Sequence, residues 1–331
     1  MDLSTTFCGL DLKNPLIAGA SPMTATLDGL KAFEDAGVAA VIMHSLFEEQ
    51  INHELRSIDH FLHANSESYA EALGFFPERE LFDTIRSDAY IKELENAKAA
   101  LDIPVIASLN GVSKGGWITY AKTLESAGAD ALELNITYIP TSIEKSGAEV
   151  ERMYLETLKS VRENISIALN VKMNAFFSSP AYMAAQFINL GADGLTLFDN
   201  PSRVNVDLES LSALRQATPT DASRLSESLR WCAIIFKQLE TSICAGTGIH
   251  SGEDILKALM SGANAVTATS AFLLRGAGEA TRMLESMKQW MQEHEYESLR
   301  QMIGSISLAH TDNPSAYERN SYMYALQHYR S

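Results

Sequence analysis

Ala36-Gly37-Val38-Ala39-Ala40-Val41, Ala127-Gly128-Ala129-Asp130-Ala131-Leu132, Leu190-Gly191-Ala192-Asp193-Gly194-Leu195 and Ser261-Gly262-Ala263-Asn264-Ala265-Val266 are four versions of one junction. Each follows a helix-periodic stretch and leads into a short apolar run. A glycine takes the left-handed conformation that closes a helix, and the chain then enters a strand. The strands read as unbroken apolar runs, as expected when both faces are covered. Four further runs lie between them, so strands are predicted at residues 15–20, 39–45, 103–109, 131–136, 167–173, 194–198, 242–245 and 264–269. Eight strands alternating with helices is the count of a closed (β/α)8 TIM barrel with right-handed crossovers. An open doubly wound sheet is the alternative that the pattern leaves.

On this reading residues 1–304 form one barrel domain, and residues 305–331 form a peripheral tail anchored by Tyr317, Tyr322, Tyr324 and Tyr329. Two connections exceed a simple crossover: 47–100, which carries Leu73-Gly74-Phe75-Phe76-Pro77, and 200–230, rich in Ser, Asp and Thr. Both leave the C-terminal ends of strands, so they are expected to cover a substrate. The net charge of −16, with 26 basic residues and no basic cluster, disfavours nucleic acid and anionic membranes as partners. The first residues carry no basic start and apolar run, and no stretch approaches a bilayer span. Cys8, Cys232 and Cys244 are unclustered and odd in number, which predicts neither a disulfide scaffold nor a metal site. A cytoplasmic setting is expected.

A barrel of this kind places its chemistry where each strand ends. Those positions read Ala20-Ser21, His44-Ser45, Ser108-Leu109-Asn110, Asn135-Ile136-Thr137-Tyr138, Lys172, Asp199-Asn200, Gly246-Thr247-Gly248 and Thr269-Ser270. Gly246, Thr247 and Gly248 leave backbone N–H groups unobstructed, and Thr269 and Ser270 add N–H and hydroxyl donors. Barrels commonly hold a phosphate between these two loops; tight turns alone would also account for the glycines. Lys172 closes an apolar strand, where an unpaired ammonium is costly to bury. It is expected to face something anionic or electron-rich, either the N1/O2 edge of a flavin or a carbonyl substrate attacked by Schiff-base chemistry. Asn110 and Asn135 suit the edge of a heterocycle. His44, Tyr138 and Asp199 are the titratable candidates.

Taken together the motifs resemble the dihydroorotate dehydrogenase family. Asn14-Pro15 through Ala20-Ser21 resembles its opening strand, Glu133-Leu134-Asn135 its fourth-strand loop, and Val171-Lys172 its Val-Lys. Thr247-Gly248-Ile249-His250-Ser251-Gly252-Glu253-Asp254 and Gly262-Ala263 with Thr269-Ser270-Ala271 resemble its closing motifs. The resemblance implies FMN across the barrel mouth, contacted by Ala20, Ser21, His44, Asn110, Asn135, Lys172, Asn200, Gly246, Thr247, Gly248, Thr269 and Ser270. It also implies an oxidoreductase acting on a CH–CH bond, as in oxidation of dihydroorotate to orotate in pyrimidine biosynthesis. A small-molecule substrate and a homodimer are implied with it; the electron acceptor is not.

The substrate side departs from the family pattern. Tyr138 stands where the family has its catalytic Cys or Ser, His44 replaces a lysine, and Glu71 and Asp199 stand at or near positions of substrate asparagines. Tyr138 or Thr137 would relay the proton, with Lys172 beside them, and Glu71 and Asp199 would meet the substrate. Tyrosine is a poor base near neutral pH unless a cation such as Lys172 or His44 lowers its pKa. Acidic groups beside a substrate carboxylate are repulsive, so a neutral or cationic substrate is an open alternative. A flavin-binding protein without turnover, and a lyase using Lys172, are further alternatives.

Overall fold

The computed structural model of the protein describes residues 1–51, 87–112, 118–199, 203–216, 219–319 and 322–328. Glu71, the Leu73–Pro77 segment, Asn200 and Tyr329 lie outside the described residues. The strands are β1 (Thr5–Phe7), β2 (Leu10–Leu12), β3 (Leu16–Ala18), β4 (Ala40–Phe47), β5 (Val105–Asn110), β6 (Ala131–Asn135), β7 (Ala168–Met173), β8 (Gly194–Leu197), β9 (Arg203–Asp207), β10 (Ser212–Gln216), β11 (Ser242–Ala245) and β12 (Ala265–Ala268). Strands β3 to β8, β11 and β12 form one closed parallel barrel, and β12 pairs with β3 through Val266↔Leu16 and Ala268↔Ala18. Closure rules out the open sheet and matches the eight expected strands in order and place.

The junction glycines explain why the crossovers are short. Gly37, Gly128, Gly191 and Gly262 have φ of 94°, 95°, 94° and 117°, so each turns the chain from helix to strand in a conformation other residues adopt at a cost. Helices pack outside the ring, among them Leu27–Asp35, Gly147–Arg162, Leu225–Ile235, Gly252–Ser261 and Glu279–Glu293. Their starts are defined locally: Ser146 and Glu149 form a reciprocal capping box, and Ser251 accepts from the Asp254 N–H.

Two hairpins were not anticipated. Strands β1 and β2 pair antiparallel, and Phe7, Cys8 and Leu12 pack with Ile17, Ala40, Ile42, Ile106, Ala131, Cys244 and Ala265 as a second apolar cluster. A Cβ on Gly194 would meet the Cys8 Sγ at 2.3 Å, so this hairpin presses into the barrel wall at the start of β8. The other hairpin, β9–β10, occupies the long connection after β8 and presents Val204, Val206, Leu208 and Leu211 to solvent. Both were missed because three- to five-residue strands carry too little periodicity to separate from a loop. Strand β4 also runs two residues beyond its expected end, through a register shift between Ile42 and Ser45. Past residue 304, Ile306 and Leu308 donate to the Met260 and Ala233 carbonyls, and the Tyr317 hydroxyl donates to the Ile306 carbonyl, tying this segment to the helix ring.

Gly262 and Gly128 share a conformation but differ in surroundings. A Cβ on Gly262 would lie 2.6 Å from the Phe236 Cβ, whereas on Gly128 the nearest atom is the flexible Lys98 Cγ at 3.7 Å. Gly128→Ala should therefore cost about 1–2 kcal/mol for backbone conformation alone, and Gly262→Ala about 1–3 kcal/mol more for overpacking. Urea midpoints at unchanged m-value measure the difference; equal losses would show that the Phe236 contact does not matter.

Candidate active site

Lys172 projects from the penultimate position of β7, paired in register with Asn135 of β6 and Thr196 of β8. Its ammonium lies 3.2 Å from Asp199 Oδ1, and the two side chains are only 19% and 12% exposed. Burial pulls the Lys172 pKa down, but the charges of Asp199 and Glu133 and the Asp199 hydrogen bond outweigh it, leaving the group above its ordinary 10.5. The second Asp199 oxygen, Oδ2, lies 3.0 Å from Thr137 Oγ1, which is also 2.9 Å from Asn135 Oδ1. Asp199 itself is anchored through its N–H to the Met173 carbonyl at 2.7 Å. Three strand ends thus deliver Asn135, Thr137, Lys172 and Asp199 to one hydrogen-bonded group. The partner that Lys172 required is a carboxylate of this chain.

One layer deeper, two residues earlier on β6 and β7, stand Glu133 and Asn170. Asn170 Nδ2 donates to Glu133 Oε2 at 3.1 Å and to Thr196 Oγ1 at 2.8 Å. Glu133 Oε1 and Asn170 Oδ1 have no hydrogen-bond partner among the described residues. Burial raises the Glu133 pKa, Lys172 lowers it and Asp199 raises it again, for a net upward shift. One ammonium therefore faces two carboxyl groups, and the deeper one, Glu133, holds its proton more tightly than a carboxyl in water. Sequence reading quoted Glu133 only as part of a motif; the signal it passed over is strand alternation, which puts residues two apart on the same face.

The remaining predicted residues occupy the rim. Asn110 ends β5 beside Asn135. His44 is buried against Tyr90, ring centroids 4.8 Å apart, and among the described residues neither ring nitrogen makes a hydrogen bond of normal geometry. Burial lowers its pKa from 6.5, opposed by the Thr24 backbone and Glu93, so it stands in the lysine's place as an imidazole biased to the neutral form. Ser21 caps the short turn Pro22–Thr24 by accepting from the Met23 N–H, next to the partly exposed Ala20. Tyr138 corrects an expectation: its hydroxyl accepts from Lys145 Nζ at 3.1 Å, with that ammonium 4.7 Å from the ring centre, so the adjacent cation is neither Lys172 nor His44. Its N–H donates to the Tyr154 hydroxyl, which in turn accepts from Asn174.

At the end of β11, the strand paired with β8, the Gly246 N–H is spent on the Leu197 carbonyl at 2.7 Å, while those of Thr247 and Gly248 find no acceptor among the described residues. Gly248 has φ +79° and a Cβ there would meet the Leu225 nitrogen at 2.3 Å, so its glycine also has a packing reason. Thr269 precedes the short helix Ser270–Arg275, and the Ser270 hydroxyl accepts from the Thr220 N–H at 2.9 Å, linking this rim to the connection after β8. Backbone donors at the end of β11 without an acceptor among the described residues, with amides and an ammonium at the ends of β5 to β7, form a donor set that fits a ligand carrying a phosphate and a heterocycle.

A family model described as Dihydroorotate dehydrogenase matches residues 2–291. The chain is 22% identical over 311 residues to the dihydroorotate dehydrogenase B (NAD(+)) catalytic subunit of Endomicrobium trichonymphae, covering 92% of this chain and 97% of that protein. The corresponding subunit of Methanocaldococcus jannaschii is 22% identical over 312 residues, with 91% and 97% covered. The NAD-dependent dihydropyrimidine dehydrogenase subunit PreA of Escherichia coli is 22% identical over 320 residues, with 92% and 76% covered.

The raised Glu133 pKa has a stability consequence of definite sign. Below its ordinary 4.5 the carboxyl is protonated folded or unfolded and no penalty exists. As pH rises from there the unfolded state ionises first, so the folded state loses stability until Glu133 ionises too. Glu133→Gln lacks this loss. Its melting temperature should match the wild type near pH 4 and exceed it increasingly toward neutral pH; a gap that stays constant would refute the assignment.

Proposed function

The chain belongs to the dihydroorotate dehydrogenase family, and from that premise we propose that it is an FMN-dependent oxidoreductase acting on a CH–CH bond of a cyclic amide related to dihydroorotate. The observation that carries this reading is the bonded set of Asn135, Thr137, Lys172 and Asp199 at the strand ends, with the N–H groups of Thr247 and Gly248, which meet no acceptor among the described residues, at the end of the next strand, β11. In this proposal Gly246, Thr247, Gly248, Thr269 and Ser270 hold the FMN phosphate. Asn110, Asn135 and Lys172 meet its ring edge, and Ala20, Ser21 and His44 line its approach. FMN supplies a two-electron acceptor.

The protein's own residues account for binding, orientation and proton handling. Lys172 keeps its charge because Asp199 sits beside it, and among the described residues that carboxylate is its one ion-pair partner, which leaves N–H donors for a ligand. A hydroxyl on the loop after β6, from Thr137 or Tyr138, moves the substrate proton. A second reading concerns the substrate alone. Asp199 repels a substrate carboxylate, and one relative is named for dihydropyrimidines, so an uncharged ring such as dihydrouracil is the competing choice. The term subunit in the relatives' names supports a partner that takes the electrons onward, and a homodimer is proposed by analogy with the family.

Purified protein should be yellow, and dithionite should bleach it. Lys172→Met should weaken FMN retention about 10- to 100-fold, the value of a hydrogen bond to a charged group. Anaerobic dihydroorotate or dihydrouracil should bleach the wild-type flavin, and whichever acts names the substrate class. A colourless protein that forms a borohydride-trapped adduct on Lys172 would replace this reading with a lyase.

A further inference from the structure

We propose that Thr137 is the residue that takes the proton from substrate carbon and that Asp199 is the carboxylate that drives it, an assignment that rests on the flavin oxidoreductase reading above. In Asp199 the two oxygens are divided. Lys172 holds Oδ1 at 3.2 Å, and Oδ2 is presented to Thr137 Oγ1 at 3.0 Å. The bond from the Asp199 N–H to the Met173 carbonyl fixes the backbone that carries the carboxylate. A threonine hydroxyl alone is far too weak a base to remove a carbon-bound proton, and an adjacent base within hydrogen-bond reach is the standard means of activating it. Asp199 meets that requirement; it has no need to touch substrate.

Tyr138, the residue in the family's catalytic position, is held differently. Its hydroxyl accepts from Lys145, an exposed side chain on the loop leading to the helix Gly147–Arg162. Thr137 is the hydroxyl on this loop that is bonded into the cluster containing Lys172. The Asn135 amide at 2.9 Å steadies the Thr137 oxygen, and turning its NH₂ inward would leave the hydroxyl proton directed at the carboxylate. Among the described residues, the charged or titratable groups that interact with Asp199 come from three elements: Lys172 on β7, Glu133 on β6, and Tyr154 on the helix Gly147–Arg162.

The step balances as follows. A ring C–H bond breaks and its proton passes to Thr137 Oγ1 while the hydroxyl's own proton passes to Asp199 Oδ2. The electron pair left on carbon becomes the new C=C bond as hydride leaves the neighbouring carbon for the oxidant, the bound flavin. Asp199 then releases its proton to solvent. Asp199 is the terminal proton acceptor in this scheme, reached through Thr137 and not in contact with substrate.

Anaerobic stopped-flow reduction of the FMN-loaded protein by dihydroorotate and by dihydrouracil tests the assignment. Thr137→Val and Asp199→Asn should each slow reduction about 100-fold or more, the range for loss of a general base. Thr137→Ser, which keeps the hydroxyl, should recover the rate to within about tenfold, and Tyr138→Phe should lose less than about tenfold. Orotate and uracil titrated against the flavin absorbance should give dissociation constants that Thr137→Val leaves within about threefold, separating a proton-transfer loss from a damaged site. Thermal melting checks that each variant is folded, and Thr137→Val decides the question if Asp199→Asn does not fold. Fast reduction in Thr137→Val, or collapse in Tyr138→Phe with Thr137→Val intact, overturns the dyad while the oxidoreductase reading stands. A wild type that neither compound reduces overturns that reading, and the dyad with it.

Discussion

A single cation sets the terms of this barrel's mouth. Lys172 points inward from β7, largely out of water, where an unpaired ammonium would be costly. Asp199 is its direct partner, Glu133 beneath adds a second negative field, and burial keeps the second carboxyl more protonated than usual. The arrangement then propagates outward. With one oxygen taken by Lys172, Asp199 has the other available to Thr137, and Thr137 in turn reaches Asn135. Charge compensation and the geometry of a proton path are the same set of contacts.

The barrel interior is graded along its axis. At one end the β1–β2 hairpin supplies Phe7, Cys8 and Leu12 to an apolar cluster with the first residues of the barrel strands. Ser108, Glu133, Asn170 and Thr196 form a polar layer above it, and Asn110, Asn135 and Lys172 reach the rim. With its N-terminal end filled by side chains, a barrel of this length has its ligand-accessible groups at the other end, where the strands terminate and the long connections begin. The rim combines a side of charged and amide groups with a side of open backbone donors. That division suits a ligand with a heterocycle at one end and a phosphate at the other.

Much of this was legible beforehand, for reasons that differ by element. The four glycine junctions were legible because helix closure is a local event: one residue needs a left-handed backbone, and the apolar run after it needs two covered faces. Lys172 stood out because lysine is out of place at the end of such a run. The hairpins were not legible, being too short to carry a period. Tyr138 was read as a phenol awaiting activation by Lys172 or His44, but Lys145, further along the same loop, is the cation beside it. Nothing in a one-dimensional pattern says which way a loop side chain turns.

The sequence by itself determined the number and order of the barrel strands, the positions that end them, and the residue types delivered there. Those follow from local backbone preference and from burial patterns a few residues long. Only the tertiary structure decided that Lys172 is answered by Asp199, that Glu133 lies beneath it, and that Thr137 bridges Asp199 to Asn135. These residues belong to different strands and meet only because closing the barrel sets the register between them. Pairing energies act through space, and at the distance of a hydrogen bond that register is what selects the partners.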